Sequence, residues 1–353
     1  MKALIAMSGG VDSSMAARLA IDAGYECVGC TMKLFDKEDV SGKCGSADDA
    51  KDAEAVAESL DMPFYVFDLK DEFRCRVVDK FVRCYEEGRT PNPCVDCNKH
   101  LKFKALMDKA DELGCEYIVT GHYARVEKDE ATGKFLLKKG LDESKDQSYV
   151  LYSLTQEQLA RVLLPLGGLR KTEVRSMAGE AGFDNAEKPE SQDICFVPDG
   201  DYAKMIETYL GKTFPRGEFV DLEGNVIGEH KGLIHYTIGQ TRRLGQAFGK
   251  PMYVCRIDAA KNQIALGSNE DTFSPKAAAK DFNWISGQAP EGEVRCKVKT
   301  RYKQKEQQAT AKALNDDGSE VEIIFDEPLR AVTPGQAAVL YDGDTVLGGG
   351  TII

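Results

Sequence analysis

The sequence lacks the features that would place this protein in a membrane or outside the cell. No stretch approaches the roughly 18 uninterrupted apolar residues that a spanning helix needs. The apolar run at the start of the chain is too short for a secretory signal and leads directly into a glycine motif. We therefore expect a cytoplasmic protein with no membrane contact, whose 353 residues allow two or three domains.

Positively charged residues are also outnumbered: the chain has 46 Lys and Arg but 58 Asp and Glu, which gives a formal net charge of −12. This average disfavours nucleic-acid binding, although a local basic face can still bind phosphate. Cysteine, in contrast, is abundant, with eleven residues. Disulfide frameworks are rare in the cytoplasm and an odd number cannot pair fully. Closely spaced cysteines therefore indicate catalysis or metal binding.

The first half of the chain alternates apolar runs with helical patterns. A buried strand is predicted at Lys2–Met7, and further strands are predicted at Glu26–Leu34, Pro63–Leu69 and Glu116–Thr120. Helices are predicted from Asp12 to a stop at Gly24, and over Asp48–Leu60, Asp71–Glu87, Asn98–Leu113 and Leu154–Ala181. This alternation predicts an α/β fold with a mostly parallel sheet, which binds ligands at the carboxyl ends of its strands.

The pattern changes after about Tyr209, where short alternating runs are bounded by Gly, Asp and Asn. Such runs are typical of small antiparallel β domains. We therefore predict a parallel-sheet domain over residues 1–204, a central small β-rich domain over 205–274 and a C-terminal β-barrel-like domain over 275–353.

A glycine loop, Ser8-Gly9-Gly10-Val11-Asp12-Ser13, joins the first predicted strand to the first helix. Backbone N–H groups and the helix dipole can hold an anion there, and the glycines allow phosphate to approach closely. Ser8 and Ser13 would add hydroxyl donors. Asp12 would repel phosphate unless it binds Mg²⁺ or caps the helix. The alternative is an ordinary glycine turn with an Asp cap.

This loop is neither a Walker A motif nor GxGxxG. It resembles the pyrophosphate loop (PP-loop) of the N-type ATP pyrophosphatases, which split ATP into AMP and pyrophosphate. The resemblance implies an adenylation reaction and leaves the adenylated substrate open.

Three cysteines form a second constellation: Cys94 and Cys97 in a C-x₂-C pair, and Cys195 in a distant segment. Prolines at 91 and 93 predict a non-helical loop around Cys94. Cys97 is predicted to begin the next helix, where the dipole and Lys99 would lower its thiol pKa.

Three interpretations of these cysteines stay open. A structural zinc site would need a fourth ligand. A persulfide and disulfide cycle needs one thiol to carry sulfur and one to resolve it. A [4Fe–4S] cluster on Cys94, Cys97 and Cys195 would leave one iron free for sulfide. Five further cysteines lie in apolar runs and are predicted to be buried: Cys27, Cys30, Cys115, Cys255 and Cys296.

Nearly end to end, the sequence resembles the bacterial tRNA-specific 2-thiouridylases. The motifs are SGGVDSS, the segment from Gly88 to Phe103, TGHYAR, KDQSYVLY, LPLGGLRKTEVR, ICF around Cys195, GEHKGLIHYTIGQ and PGQ. The resemblance implies ATP- and Mg²⁺-dependent 2-thiolation of the wobble uridine in tRNAs for Lys, Glu and Gln, through an adenylated base. A cysteine desulfurase, a sulfur-relay protein or inorganic sulfide would supply the sulfur.

The resemblance also implies roles for individual residues. ATP would contact Ala6, Met7, Ser8, Gly9, Gly10, Val11, Asp12, Ser13, Met32 and Gly121. The target base would meet Asn92, Pro93 and Cys94. Cys97 would be the nucleophile or resolving thiol, and Cys195 would carry the persulfide. The anticodon stem-loop would contact His122, Lys145, Asp146, Gln147, Arg301, Tyr302 and Gln336.

The sequence departs from the family at one important position. Many members carry Asp, the proposed general acid or base, where this chain has Cys94. The segment before Cys195 reads SQDICF, whereas persulfide-type members have STGICF. Both departures favour the cluster over the persulfide cycle.

A basic face is predicted near the C-terminus, where six residues alternate: Arg295, Lys297, Lys299, Arg301, Lys303 and Lys305. On a β-strand, period two would place all six on one side, as a stripe for tRNA phosphates. The alternative is an edge strand protected by lysines. Other functions remain open: a different adenylating pyrophosphatase, a thiolase for another base, or an iron–sulfur sensor.

Overall fold

The computed structural model describes residues 1–35, 47–183, 185, 194–197 and 200–353. Its α-helices are α1 (Val11–Asp22), α2 (Ala47–Ser59), α3 (Lys70–Phe73), α4 (Asp79–Glu86), α5 (Pro93–Cys97), α6 (Leu106–Glu112), α7 (Gln156–Leu159), α8 (Lys171–Glu180) and α9 (Tyr202–Leu210). Two π-helical segments, Arg74–Val78 and Asn98–Ala105, join α3 to α4 and α5 to α6 without a break. Pro93 to Glu112 is therefore one continuous helix.

Seventeen strands are described: β1 (Lys2–Ala6), β2 (Glu26–Lys33), β3 (Phe64–Asp68), β4 (Tyr117–Val119), β5 (Ala124–Lys128), β6 (Phe135–Lys139), β7 (Val162–Leu163), β8 (Gly217–Val220), β9 (Val226–His230), β10 (Tyr253–Asp258), β11 (Gln263–Gly267), β12 (Phe273–Trp284), β13 (Glu293–Lys299), β14 (Gln307–Ala313), β15 (Val321–Arg330), β16 (Ala337–Asp342) and β17 (Thr345–Ile352).

The N-terminal part is built on a five-stranded sheet in the order β3-β2-β1-β4-β7, with every pair parallel. Both faces of this sheet are covered. Along β1, Leu4 belongs to one buried core while Ala3 and Ile5 belong to another, as the period-two alternation of a strand requires. The predicted α/β class with a parallel sheet is confirmed.

The remainder of the chain forms two β structures. One is a four-stranded sheet, β10-β11-β8-β9, with its own apolar core. The other is a six-stranded barrel in the order β12-β15-β14-β13-β16-β17, closed by pairing between β12 and β17. The predicted β-rich C-terminal half is therefore confirmed, while the boundaries at 205 and 275 stay predictions.

A hairpin from the N-terminal part attaches to this barrel. β5 pairs with β6, and β6 meets β17 through Lys138 and Thr345. The buried core under α3–α6 also continues into the barrel through Val339, Tyr341 and Val346. The sheet and the barrel therefore pack through a shared apolar interface.

Two local predictions were wrong. The stretch Leu154–Ala181 is not one helical region, because β7 adds an edge strand to the central sheet between α7 and α8. Val162 and Leu163 lie in an apolar run too short for its periodicity to distinguish strand from helix. The segment around Cys94 is also helical, since α5 begins at Pro93. Proline suits the first helical position, where its missing N–H costs nothing.

Candidate active site

The candidate site lies at the carboxyl ends of β1 and β4. These strands are neighbours, and the chain order reverses between them, since β2 and β3 extend the sheet on one side and β7 on the other. Such a switch point opens a crevice where α/β proteins bind ligands. The loop after β1 carries the glycine motif, and the turn after β4 carries Gly121 and His122.

The glycine loop has the backbone shape of an anion site. Gly9 has φ +70°, and a Cβ there would lie 2.7 Å from the carbonyl oxygen of Asp49. Gly10 is extended and precedes α1, a helix of twelve residues whose first N–H groups face the loop. The loop can therefore present backbone donors and a helix dipole to phosphate oxygens.

The serines of the loop have different environments. The buried hydroxyl of Ser13 donates to the Gly10 carbonyl (2.9 Å) and accepts from the Ser8 N–H (3.1 Å). Ser13 thus braces the loop, and its hydroxyl lies 3.3 Å from the hydroxyl of the exposed Ser8. The role of both hydroxyls as phosphate donors stays a prediction. The Asn185 amide, which the sequence did not single out, donates to the Gly9 carbonyl and to the Ser14 hydroxyl, both at 3.0 Å.

Asp12 is neutralised by a residue that sequence reasoning missed. The Lys171 ammonium lies 2.6 and 2.7 Å from the two Asp12 carboxylate oxygens, and the Tyr123 hydroxyl donates to one of them at 2.7 Å. The N-cap of α1 is Gly10, so Asp12 is not the residue that caps this helix. The ion pair offsets the repulsion that a lone carboxylate would exert on phosphate. The only local signal was a lysine at the start of α8, within the LRKTEVR motif.

The turn after β4 joins the glycine loop to the continuous helix from Pro93 to Glu112, here called the cysteine helix because it carries Cys94 and Cys97. Gly121 packs so tightly on the loop that a Cβ would lie 2.8 Å from the Asp12 carbonyl carbon and 2.9 Å from the Ser13 nitrogen. The next residue, His122, places Nε2 3.4 Å from the Lys102 ammonium, on the helix that carries Cys94 and Cys97.

The hydrogen bonds of His122 define its tautomer. A lysine ammonium has no hydrogen-bond acceptor, so Nε2 of His122 must accept from Lys102. The imidazole proton then lies on Nδ1, which donates to the Thr120 hydroxyl at 2.7 Å. Burial, and secondarily the charge of Lys102, hold the pKa of His122 well below its usual value. His122 is therefore neutral and fixes the position of the Lys102 ammonium.

The cysteine helix places Cys94 and Cys97 differently from the prediction. Cys94 occupies the first turn of α5 and Cys97 lies beyond it, so the helix dipole acts more strongly on Cys94. Cys94 is exposed, yet desolvation raises its pKa despite the charge of Lys102. Asp96 is buried and ion-paired with Lys80 at 2.6 Å, so it does not replace the missing family carboxylate.

Cys97 and Cys195 border the same apolar core. The next residue, Phe196, packs edge-on against Phe73 and Phe81, with ring centroids 5.6 and 5.2 Å apart, and so anchors the Cys195 segment. Residues 191–193 of the predicted SQDICF motif lie outside the described residues.

Cys27, Cys30, Cys115 and Cys296 are buried as predicted, whereas Cys255 is half-buried. Among the described residues, no three His, Cys, Asp or Glu side chains come close enough together to hold a metal ion. This gives no support to the iron–sulfur alternative, which stays a prediction for Cys94, Cys97 and Cys195.

The expected tRNA contacts near residue 146 shape the turn after β4. Asp146 is buried and accepts from the Gly140 N–H at 3.1 Å and the Ser148 hydroxyl at 2.9 Å. The Gln147 side-chain carbonyl accepts from the Tyr123 N–H at 2.9 Å. Lys145, before them, is half-buried, as is Met32 on β2.

The basic stripe is shorter than predicted. β13 ends at Lys299, so Arg301, Lys303 and Lys305 are not on the strand. The Arg301 guanidinium donates instead to the carbonyls of Ile238 (3.0 Å) and Ala331 (3.2 Å). The alternation of charge continued in the sequence after the strand itself had ended in a turn.

Two of the three basic residues that do lie on β13 already contact other side chains of the protein. Arg295 pairs with Asp326 at 2.6 Å, and the Lys299 ammonium lies over the rings of Tyr149 and Tyr302. Lys297 is exposed. Of the strand's three basic residues, Lys297 thus points most plainly to solvent.

Comparison with known proteins gives three consecutive family matches. Residues 1–199 match the tRNA methyl transferase HUP domain, 203–268 the tRNA methyl transferase PRC-barrel domain, and 274–352 the Aminomethyltransferase beta-barrel domain. The chain is 49% identical to the tRNA-specific 2-thiouridylase MnmA of Clostridioides difficile (strain 630), over 99% of this chain and 98% of that protein.

The chain belongs to the tRNA-specific 2-thiouridylase family. A second member, from Acetivibrio thermocellus, is 47% identical over 99% of both chains. A solved 4-thiouridine synthetase–RNA complex with bound ATP is 19% identical over 60% of this chain and 50% of that one, with a TM-score of 0.37, too low to support a comparison of function. Within the described residues of this 2-thiouridylase family member, no helix has the length and apolarity needed to cross a membrane.

Proposed function

We propose that this protein is an ATP-dependent tRNA sulfurtransferase that replaces the C2 oxygen of the wobble uridine with sulfur, in tRNAs for Lys, Glu and Gln. One observation carries the proposal. Two consecutive residues, Gly121 and His122, contact the glycine loop and the cysteine helix respectively. One crevice thereby serves both activation of a base by ATP and delivery of sulfur to it. The names of its close relatives agree with this function.

In the first step, the C2 oxygen of uridine attacks the α-phosphorus of ATP, and pyrophosphate leaves into the loop from Ser8 to Ser13. Backbone N–H groups at the start of α1 bind its oxygens. Mg²⁺ would be held chiefly by the phosphate oxygens and would offset their charge, because both Asp12 carboxylate oxygens already contact Lys171. Lys171, next to Asp12, supplies fixed positive charge to the same place.

In the second step, sulfur displaces AMP. The terminal sulfur of a Cys195 persulfide attacks C2, the C2–oxygen bond breaks, and AMP departs with the oxygen. The Cys97 thiolate then attacks the Cys195 sulfur, which forms a disulfide and releases 2-thiouridine. An external dithiol reduces that disulfide, and a desulfurase or a relay protein then transfers persulfide sulfur to Cys195. Inorganic sulfide would act differently: it would open the disulfide directly, which leaves a persulfide on Cys195 and a thiolate on Cys97.

We assign a role in stabilising negative charge to Lys102, because position 94 carries a cysteine and offers no carboxylate. Cys94 has a raised pKa and stays a neutral thiol, so it is a poor general base. The Lys102 ammonium lies beside it, held by neutral His122. We place this charge against the phosphate of the departing AMP, where it stabilises the developing negative charge.

The test is tRNA-dependent AMP release with nucleoside analysis by mass spectrometry. Purified protein, ATP, Mg²⁺, a reductant and a cysteine desulfurase with its cysteine substrate are incubated with a tRNA for Lys, and with the same tRNA carrying cytidine at the wobble position. We expect AMP and 2-thiouridine from the first tRNA alone. AMP release without tRNA would support a different adenylating enzyme, and thiolation of both tRNAs would support another target base.

A further inference from the structure

The loop before the cysteine helix is held by the barrel. The Thr90 N–H donates to the Pro334 carbonyl at 2.9 Å. The Gln336 amide donates to two successive carbonyls, those of Thr90 at 3.0 Å and Pro91 at 3.2 Å. One side chain of the barrel thus fixes the backbone that leads into Pro93 and the helix.

The barrel and the loop at Thr90 are in tight contact, and the backbone of Gln336, which donates to the loop, is held in place. A Cβ at Gly335, which has φ +92°, would lie 2.9 Å from the Thr90 carbonyl oxygen, so the two backbones touch. The Gln336 backbone is itself tied to the end of the barrel, because its N–H donates to the Thr333 carbonyl and its carbonyl accepts from the Ile352 N–H.

The connection between β9 and β10, in the part of the chain that forms the small four-stranded sheet, holds the loop from another side. The Thr90 hydroxyl lies 3.3 Å from the Thr237 hydroxyl. The carbonyls after Thr237 are bound by barrel arginines: Arg301 donates to Ile238 at 3.0 Å, and Arg330 donates to Gly239 at 3.1 Å. The three parts of the molecule therefore meet at Thr90, four positions before Cys94.

We propose that Gln336 is a positioning residue for the sulfur-transfer step. By holding the Thr90 and Pro91 carbonyls, it sets where the helix with Cys94 and Cys97 begins. The inference rests on the proposed function, in which those cysteines meet the activated base. It differs from the role as a tRNA contact that the family resemblance implied for Gln336, because its amide already binds the protein's own loop. A shift of the barrel is transmitted to the cysteines through this side chain.

The test compares Gln336→Ala and Gln336→Glu with Gln288→Ala, which removes an exposed amide elsewhere on the barrel. Hydrogen exchange without tRNA is followed in a peptide spanning residues 88–97. Loss of the two bonds should speed exchange there by about tenfold. Gln336→Glu, which sets a carboxylate against two carbonyls, should show at least the same change. Gln288→Ala should leave exchange unchanged.

Steady-state thiolation gives the second readout. A misplaced helix should lower kcat by about 10- to 100-fold while the KM for tRNA stays within about twofold. A raised KM with unchanged kcat, or unchanged exchange at residues 88–97, would overturn the inference and make Gln336 a tRNA contact. Failure of the wild-type protein to thiolate tRNA would instead refute the proposed function, since the exchange result does not depend on activity.

Discussion

The Lys171 ammonium sits between the two carboxylate oxygens of Asp12, at 2.6 and 2.7 Å, although 159 positions separate the two residues in the chain. The lysine side chain is 7% exposed and the aspartate 31%. The pair places one nearly buried positive charge beside the glycine loop, where the sequence had suggested a carboxylate that repels phosphate unless it binds Mg²⁺ or caps the helix.

Lys171→Ala should impair adenylation more than stability. Asp12 retains some water, so loss of its partner should cost about 1–2 kcal/mol, less than for a fully buried pair. AMP formation should fall by about 100-fold, because fixed positive charge near the pyrophosphate is lost. Urea denaturation and tRNA-dependent AMP release measure the two effects.

A double variant separates these two effects. Asp12→Asn with Lys171→Met removes both charges and should regain much of the lost stability without regaining activity. Lys171→Arg should retain part of both. If the double variant adenylated tRNA at the wild-type rate, the pair would be structural only.

Substitution of the cysteines should divide the reaction into its two steps. Cys97→Ala and Cys195→Ala should abolish 2-thiouridine while AMP transfer to tRNA continues, because activation precedes sulfur delivery. Cys94→Asp should retain both steps, since it restores the carboxylate of many relatives. Nucleoside mass spectrometry and labelled ATP follow the two products.

Iron analysis after anaerobic purification is the control for these cysteine variants. The persulfide route predicts iron-free, active wild-type protein. Simultaneous loss of iron and activity in Cys94→Ala would contradict that route and restore the cluster interpretation.

Stability should fall with acid because of His122. Its pKa is lowered in the folded protein, so the unfolded chain, with a pKa of about 6.5, binds the proton more readily. Stability is therefore full above that pH and is lost as pH falls below it, by about 1.4 kcal/mol per pH unit until the folded pKa is reached.

The matched variant is His122→Gln, which can still accept from Lys102 but does not titrate. Urea denaturation of both proteins from about pH 7.5 to 5.5 isolates this contribution, because the pKa values of His100, His230 and His235, also lowered by burial, act equally in both. Parallel pH profiles would show that His122 does not bind a proton differently in the two states.

Lys297 should contribute to tRNA binding through phosphate alone. Lys297→Ala should weaken binding to all tRNAs similarly and reduce the slope of log affinity against log salt by about 0.7–0.9. The control is Lys276→Ala, whose exposed lysine on β12 is paired with Glu322 at 2.8 Å. Equal salt slopes for the two variants would place the RNA on another face.

The sequence alone determined the parallel-sheet architecture, the glycine loop, the C-x₂-C pair and the family. These features are encoded locally, by apolar periodicity, by glycine and proline, and by the order of short motifs. Even so, local reasoning was wrong where local signals conflict. Prolines suggested a loop at Cys94, although Pro93 begins a helix, and charge alternation continued past Lys299, where β13 ends.

Only the tertiary structure decided which side chains work together. Lys171 reaches Asp12 across 159 positions, and Gln336 reaches Thr90 across 246. No periodicity or spacing encodes such pairs, because they arise from the packing of α8 and of the barrel around the crevice. Packing likewise determined that His122 is neutral and that Asp96 is turned to Lys80, since burial and nearby charge, not residue type, set those states.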